Sequence, residues 1–129
     1  IAIIGVMFFM LILVIGANYG FRGIDPELIK SNILTIVRTF KEKKVTVLLG
    51  GMQMGQNLGK EYITAFEKIY PLVAREENVG LVPFFLNGVA ANPNLNQTDG
   101  IHPTAGGYRV VVDHILPYVV KAIKAHKAN

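Results

Sequence analysis

The sequence predicts an α/β protein built on a parallel sheet, and three observations carry that prediction. Short apolar, β-branched runs alternate with longer stretches of helical period, in the order strand, helix, strand, helix, strand, loop, helix. No linker-like stretch and no internal repeat divides the 129 residues, so a single domain is expected over residues 1–129. The composition, 51% apolar and 17% charged, is that of a packed chain and not a disordered one.

The first strand lies in "IAIIGVMFFMLILVIGANYG", which carries no charge until Arg22. A run of about 20 apolar residues can cross a bilayer. Here, however, no basic region precedes the run and no small-residue cleavage site follows it. It ends in "GAN", a strand-to-loop ending, so we read a buried parallel strand over residues 10–15, preceded by an apolar segment at 1–9. A membrane-anchored subunit is the weaker reading.

"GIDPELIKSNILTIVRTFKEKK" follows as a helix, with Asp25 as cap and Pro26 in the first turn, where its missing N–H costs nothing. Ile29, Ile33, Ile36, Val37 and Phe40 recur at helical spacing and give it one apolar face. "VTVLLGG" at 45–51 is the second strand and "MQMGQNLG" a loop. "KEYITAFEKIYPLVAREEN" is helical through Tyr62, Phe66, Ile69 and Val73, with a kink expected at Pro71. "VGLVPF" is the third strand, and residues 85–102 form a long loop with a helical turn near Leu86–Ala90. A helix over roughly 104–125, begun by Pro103, closes the chain.

Several chemistries are excluded or disfavoured by composition. There is no cysteine, hence no disulfide, thiolate metal site or Cys nucleophile. Three histidines without an H-x-x-x-H pair suggest no metal site, and no cofactor is implied; His114 and His126 fall in or after the last helix as solvent-side or packing residues. The net charge of +4 gathers in "KEKK" (41–44) and at Lys121, Lys124 and Lys127. These clusters lack the aromatic and phosphate-reading partners of a nucleic-acid surface and are read as solvated helix ends.

In a parallel sheet, ligands bind beyond the carboxyl ends of the strands. "GANYG", "GGMQMG" and the loop holding "DGIHP" all fall at that edge. Asp99 lies three residues before His102, within reach of the imidazole if the loop turns, as in Asp–His–nucleophile systems. A loop-stabilising Asp turn beside a surface histidine fits the same spacing equally well. Asn18 at the end of the first strand is a candidate amide donor to an oxyanion, or an ordinary turn residue, with Gly16, Ala17 and Tyr19 beside it as candidate substrate-binding residues. Met52, Met54, Phe84, Phe85 and Leu86 supply an apolar rim for an acyl chain, or simply core. The nucleophile is missing from this pattern. The single serine, Ser31, lies inside a helix, no G-x-S-x-G elbow exists, and nothing activates Thr98 or Thr104 beyond proximity to His102.

Together, "LILVIGANYGFRGI", "VLLGGMQMGQNLGKEYITAF", "LVPFFLNGVAANPNLNQTDGIHP" and "AGGYRVVVDHILPYV" resemble the SGNH (GDSL-type) hydrolases, most closely the bacterial arylesterase, acyl-thioesterase I and lysophospholipase L1-like branch. The likeness runs from about residue 10 to residue 121, in order. It implies a flavodoxin-like fold represented here by about three strands with flanking helices. It implies Asn18 as oxyanion donor, His102 as base and Asp99 as its orienting acid. It also implies a nucleophilic Ser block and an oxyanion Gly block before "LILVIGAN", which are not in these residues. The chain departs from the family pattern at Tyr19, where Asp is preferred. The sequence thus corresponds to about the C-terminal two-thirds of such an enzyme.

The leading expectation is an esterase or thioesterase acting on small acyl esters; the alternative is an inactive remnant that self-associates or binds acyl ligands. Relatives are often exported, but no export signal is visible. Without the preceding strands, the strand ending at Gly16 becomes an open edge. Self-association through residues 1–16, or completion by a separate N-terminal fragment, is therefore expected. Light scattering at micromolar concentration checks this: oligomers or strand exchange are expected, and a monodisperse monomer would reject it.

Overall fold

Three strands, β1 (Met10–Val14), β2 (Thr46–Gly50) and β3 (Gly80–Val82), pair in the order β1-β2-β3, all parallel. They are seen in a computed structural model that describes residues 9–128. The apolar segment expected over residues 1–9 lies, apart from Phe9, outside the described residues. Among the described residues the other named elements are α1 (Ala17–Phe21), α2 (Pro26–Glu42), a 3₁₀ turn (Gln56–Leu58), α3 (Lys60–Glu77) and α4 (Ala105–Ala128).

The central strand explains the layering. β2 is paired on both sides, Met10↔Thr46 through Val14↔Gly50 on one and Leu48↔Gly80 through Gly50↔Val82 on the other. Its side chains alternate between two buried faces, which is why "VLL" is an unbroken apolar run. Val47 and Leu49 enter the core formed with Ile29, Ile33 and Val37 of α2 and Phe66, Ile69, Tyr70 and Val73 of α3. Leu48, equally buried, points to the opposite face, where α4 packs on β2 and β3. At the amino edge of that face the Thr46 hydroxyl bonds His126 Nδ1 of α4.

The helices begin where their sequence dictates. Asp25 Oδ1 accepts the Glu27 N–H at 3.0 Å and Pro26 opens α2. The expected apolar face narrows to Ile29, Ile33 and Val37, while Ile36 and Phe40 are only half-buried on its margins. α3 runs on through Pro71 to Glu77. The proline removes a donor to the Glu67 carbonyl, and it lies on the exposed side of the helix. The turn expected near Leu86–Ala90 is present, with Val89 and Ala90 N–H both donating to the Leu86 carbonyl at 2.9 Å.

α1 was not visible in the sequence pattern, which reads there as a strand-to-loop ending. Gly16, at φ 106, takes the left-handed conformation that lets the chain turn at once into a helical turn, closed by Gly20 N–H to Gly16 O at 3.0 Å. Five residues are too few to show a period.

Among the described residues, one side of the sheet is open. β1 pairs with β2 alone among the described residues, and Ile12 and Val14, both 39% exposed, lie on the face where α4 covers the other two strands. Along α4, Tyr108, Val112, Leu116 and Val120 follow one another at intervals of four as an exposed apolar stripe. It lies on the flank turned away from His114, whose Nε2 bonds the Phe84 carbonyl at 2.8 Å. Among the described residues no helix is long and apolar enough to cross a membrane.

Leu49 is fully buried between α2 and α3, whereas Leu28 is 54% exposed. Leu49→Ala is expected to lose about 3 kcal/mol of stability and Leu28→Ala less than about 0.5. Denaturant midpoints at unchanged slope check the difference.

Candidate active site

Because all three strands run the same way, the segments after Val14, Gly50 and Val82 emerge at one rim. The last of these is the most tightly built. The buried Asn96 side chain donates to the carbonyls of Val89 and Asn92, both at 2.8 Å, and so fastens the loop to the turn before it. Leu95 and Thr104 close its base, with Thr104 N–H on the Leu95 carbonyl at 2.9 Å. Gln97 N–H donates to the His102 carbonyl at 2.7 Å, and Asn96 bridges Pro103 antiparallel. The first turn of α4 presses on this base: a Cβ at Gly107 would lie 2.2 Å from the Leu95 oxygen, so only glycine fits. Thr104 caps α4, its hydroxyl accepting Gly107 N–H at 3.2 Å.

This frame presents Asp99 and His102. Asp99 Oδ1 accepts the backbone N–H of Ile101 at 2.9 Å and of His102 at 3.0 Å, while Oδ2 meets His102 Nδ1 at 2.6 Å. The Asp turn and the Asp–His pair, alternatives in the sequence, are both present: one oxygen folds the loop and the other holds the ring. The His102 backbone N–H, its ring and the Ile101 N–H together hold the Asp99 carboxyl below its ordinary 3.8, at about 2. An ionised carboxylate only accepts, so Nδ1 carries the proton, and in the neutral ring Nε2 keeps its lone pair. His102 is 66% exposed in its side chain, open to a reacting group.

Asn18 stands at the end of β1, in the first turn of α1. Its side chain is exposed and makes no hydrogen bond to another described residue. Gly16, Ala17, Asn18, Tyr19 and Met52 come together around one cavity of about 440 Å³, joined by Val14 and Arg22. Asp99 and His102 are not among the residues that line it. Met54 is in the core against Phe66 and Gly20. Phe85 packs over Gly50, with its N–H on the Gly51 carbonyl at 2.9 Å.

The hydroxyl groups are placed elsewhere. Ser31 sits on the exposed side of α2, its carbonyl accepting the Thr35 hydroxyl at 3.0 Å. Thr104 is engaged as a cap, and Thr98 is exposed in the loop. Two residues escaped the sequence reading as parts of the rim. Tyr70 donates its hydroxyl to the Ile15 carbonyl at 2.7 Å, and Asn96 is the buried fastener of the loop. The spacing of four between Tyr62, Phe66 and Tyr70 was the available signal for the first; the second leaves none in a loop rich in Asn.

A parallel sheet with an Asp–His pair before its last helix and an exposed amide after its first strand places the chain among α/β proteins with a candidate site at the carboxyl ends of the strands. The chain belongs to the GDSL-like lipase/acylhydrolase family, the SGNH hydrolases, whose sequence pattern matches residues 10–110. It is 34% identical over 108 residues to esterase TesA of Pseudomonas aeruginosa, covering 84% of this chain and 54% of that protein. It is 31% identical over 112 residues to an arylesterase of Vibrio mimicus, covering 87% and 56%. A crystal structure of TesA superposes with a TM-score of 0.82 at 33% identity, over 88% of this chain and 63% of that one. The esterase AlinE4, described as SGNH-hydrolase family, gives a TM-score of 0.66 at 39% identity over 86% and 59%. The fold is thus the flavodoxin-like SGNH fold, represented by three of its strands. The chain spans about half the length of the curated relatives it matches.

Because the folded Asp99 pKa is depressed, its contribution to loop stability is complete above the ordinary carboxylate value of 3.8 and is lost as pH falls through about 2. Carbon-detected titration of the Asp99 carboxyl is expected to give a midpoint near 2, and a midpoint at 3.8 would mean that the pair does not form in solution.

Proposed function

We propose that the chain supplies the acid–base pair and one oxyanion donor of an SGNH-type carboxylic-ester hydrolase acting on short acyl esters or thioesters. The observation that carries this reading is the 2.6 Å contact of His102 Nδ1 with Asp99 Oδ2, which orients the ring and leaves Nε2 away from the carboxylate. A serine hydroxyl attacks the acyl carbonyl and His102 Nε2 takes its proton. Asp99 stabilises the imidazolium that forms, and the Asn18 amide donates to the developing oxyanion. The same proton returns to the leaving alcohol or thiol, and water repeats the sequence on the acyl-enzyme. The names of the relatives, esterase and arylesterase, support ester substrates, and a further relative, of Escherichia coli and 34% identical over 99 residues, is named thioesterase 1/protease 1/lysophospholipase L1.

The serine comes from polypeptide that docks on the open side of the sheet. An unpaired strand edge takes a strand, and the uncovered Ile12, Val14 and α4 stripe take a helix. The right-handed crossover rule specifies their order. α2 and α3 share one face and connect strands stepping from β1 to β3. A helix on the other face must connect strands stepping in the opposite direction, from one beside β1 to one beyond it. The direction of winding then reverses at β1, and the crevice at that reversal, where α/β sheets bind ligands, opens beside Asn18. Occupation of the same edge by a second copy would instead leave an assembly without a nucleophile, the acyl-binding alternative. That reading is favoured by the placement of Ser31 and Thr104 in helical roles.

In the completed enzyme, His102→Ala is expected to lower kcat by about 10³-fold or more while acyl binding persists. Hydrolysis of a short p-nitrophenyl ester measures it, and unchanged turnover in the variant would reject the histidine mechanism.

A further inference from the structure

The segment that carries Asn18 is seated along one helix. Tyr62, Phe66 and Tyr70 recur every four residues on α3 and form an aromatic ladder. Phe66 meets Tyr70 edge-on, with centroids 5.7 Å apart, and stacks on Tyr62 at 6.5 Å. Residues 15–24 cross this ladder and touch each rung. At the start, the Tyr70 hydroxyl donates to the Ile15 carbonyl at 2.7 Å. At the end, the Tyr62 hydroxyl donates to the Ile24 carbonyl at 2.6 Å. Between them Gly20 lies so close to the middle rung that a Cβ there would be 2.7 Å from Phe66 Cε2 and 2.5 Å from Met54 Sδ. A Cβ on Gly16 would likewise fall 2.5 Å from the Tyr70 oxygen.

We propose that this ladder is the positioning device of the oxyanion turn: two hydroxyls clamp its ends, Phe66 sets its height, and Asn18 is held at the rim by residues that touch no substrate. The inference rests on Asn18 being the oxyanion donor proposed above. Three contacts over ten residues leave the turn little freedom, while Asn18 and Tyr19 remain exposed between the anchors. An oxyanion donor is useful only where it is aimed before charge develops, and a one-ångström drift is enough to forfeit its effect. Burial raises the Tyr70 phenol far above its ordinary value, so it remains a donor throughout the working range. Gly16 and Gly20 are small because the ladder lies directly beneath them. The sequence "GANYG" is therefore matched to α3 as well as to a ligand.

The test removes the hydroxyls and keeps the rings. Tyr70→Phe and Tyr62→Phe are made in residues 1–129, and amide hydrogen exchange is followed in the turn and in the core. Exchange at Gly20, whose N–H bonds Gly16 O, is expected to rise about fivefold or more per hydroxyl lost. Exchange at Val37 and Leu49 should stay unchanged. Equal acceleration at both sites, or none at Gly20, would overturn the clamp, and Tyr62→Phe, at the half-buried end, serves if Tyr70→Phe does not fold. In the completed enzyme the same variants are expected to lower kcat about tenfold with KM retained, and to add little to Asn18→Ala. Full additivity with Asn18→Ala would overturn the positioning role. If Asn18→Ala itself leaves kcat unchanged, the oxyanion assignment fails, while hydrogen exchange still decides the clamp.

Discussion

The rest of the molecule depends on the parallel pairing of β2 on both of its edges. A central strand so placed must be apolar on both faces, and Val47, Leu48 and Leu49 meet that demand. One face recruits α2 and α3, the other α4. Parallel order then sends every strand's carboxyl end to one rim, so Asn18 and the Asp99–His102 loop share that edge without being near in sequence.

The rim is built from backbone constraints as much as from side chains. Gly16 turns the chain immediately after β1, and Gly107 lets α4 approach the Leu95 carbonyl. Asn96 ties the loop down from within. Each places a functional group by removing alternatives for the main chain. The Asp99–His102 pair belongs to the same economy: one carboxylate folds the loop through two backbone N–H groups and orients the imidazole through its second oxygen.

The sequence made the layers legible and left the small parts hidden, for physical reasons. β2 and the buried stripes of α2 and α3 announce themselves through periods of apolar residues long enough to read. The D-x-x-H spacing pointed to the loop, though spacing alone did not separate a turn from a pair; the structure contains both. α1 is one helical turn set by the dihedral angle of a glycine, which no period reveals. Met54 was open between acyl rim and core in the sequence, and its thioether fills the space beneath Gly20. Tyr70 went unread, because a hydroxyl's partner 55 positions away is a property of the fold and not of local sequence.

The proposed chemistry turns on the side of the sheet beside β1. Ile12, Val14 and the α4 stripe form an exposed apolar surface, beside a strand edge that pairs with no other described strand. The central claim is that residues 1–129 hold a base and its orienting acid but need docked polypeptide for the nucleophile. Intact-mass analysis after exposure to a fluorophosphonate, with peptide mapping of any adduct, tests this most directly. The account predicts no adduct on residues 1–129 alone; a single adduct on Ser31, Thr98 or Thr104 would show that the chain carries its own nucleophile and would contradict it.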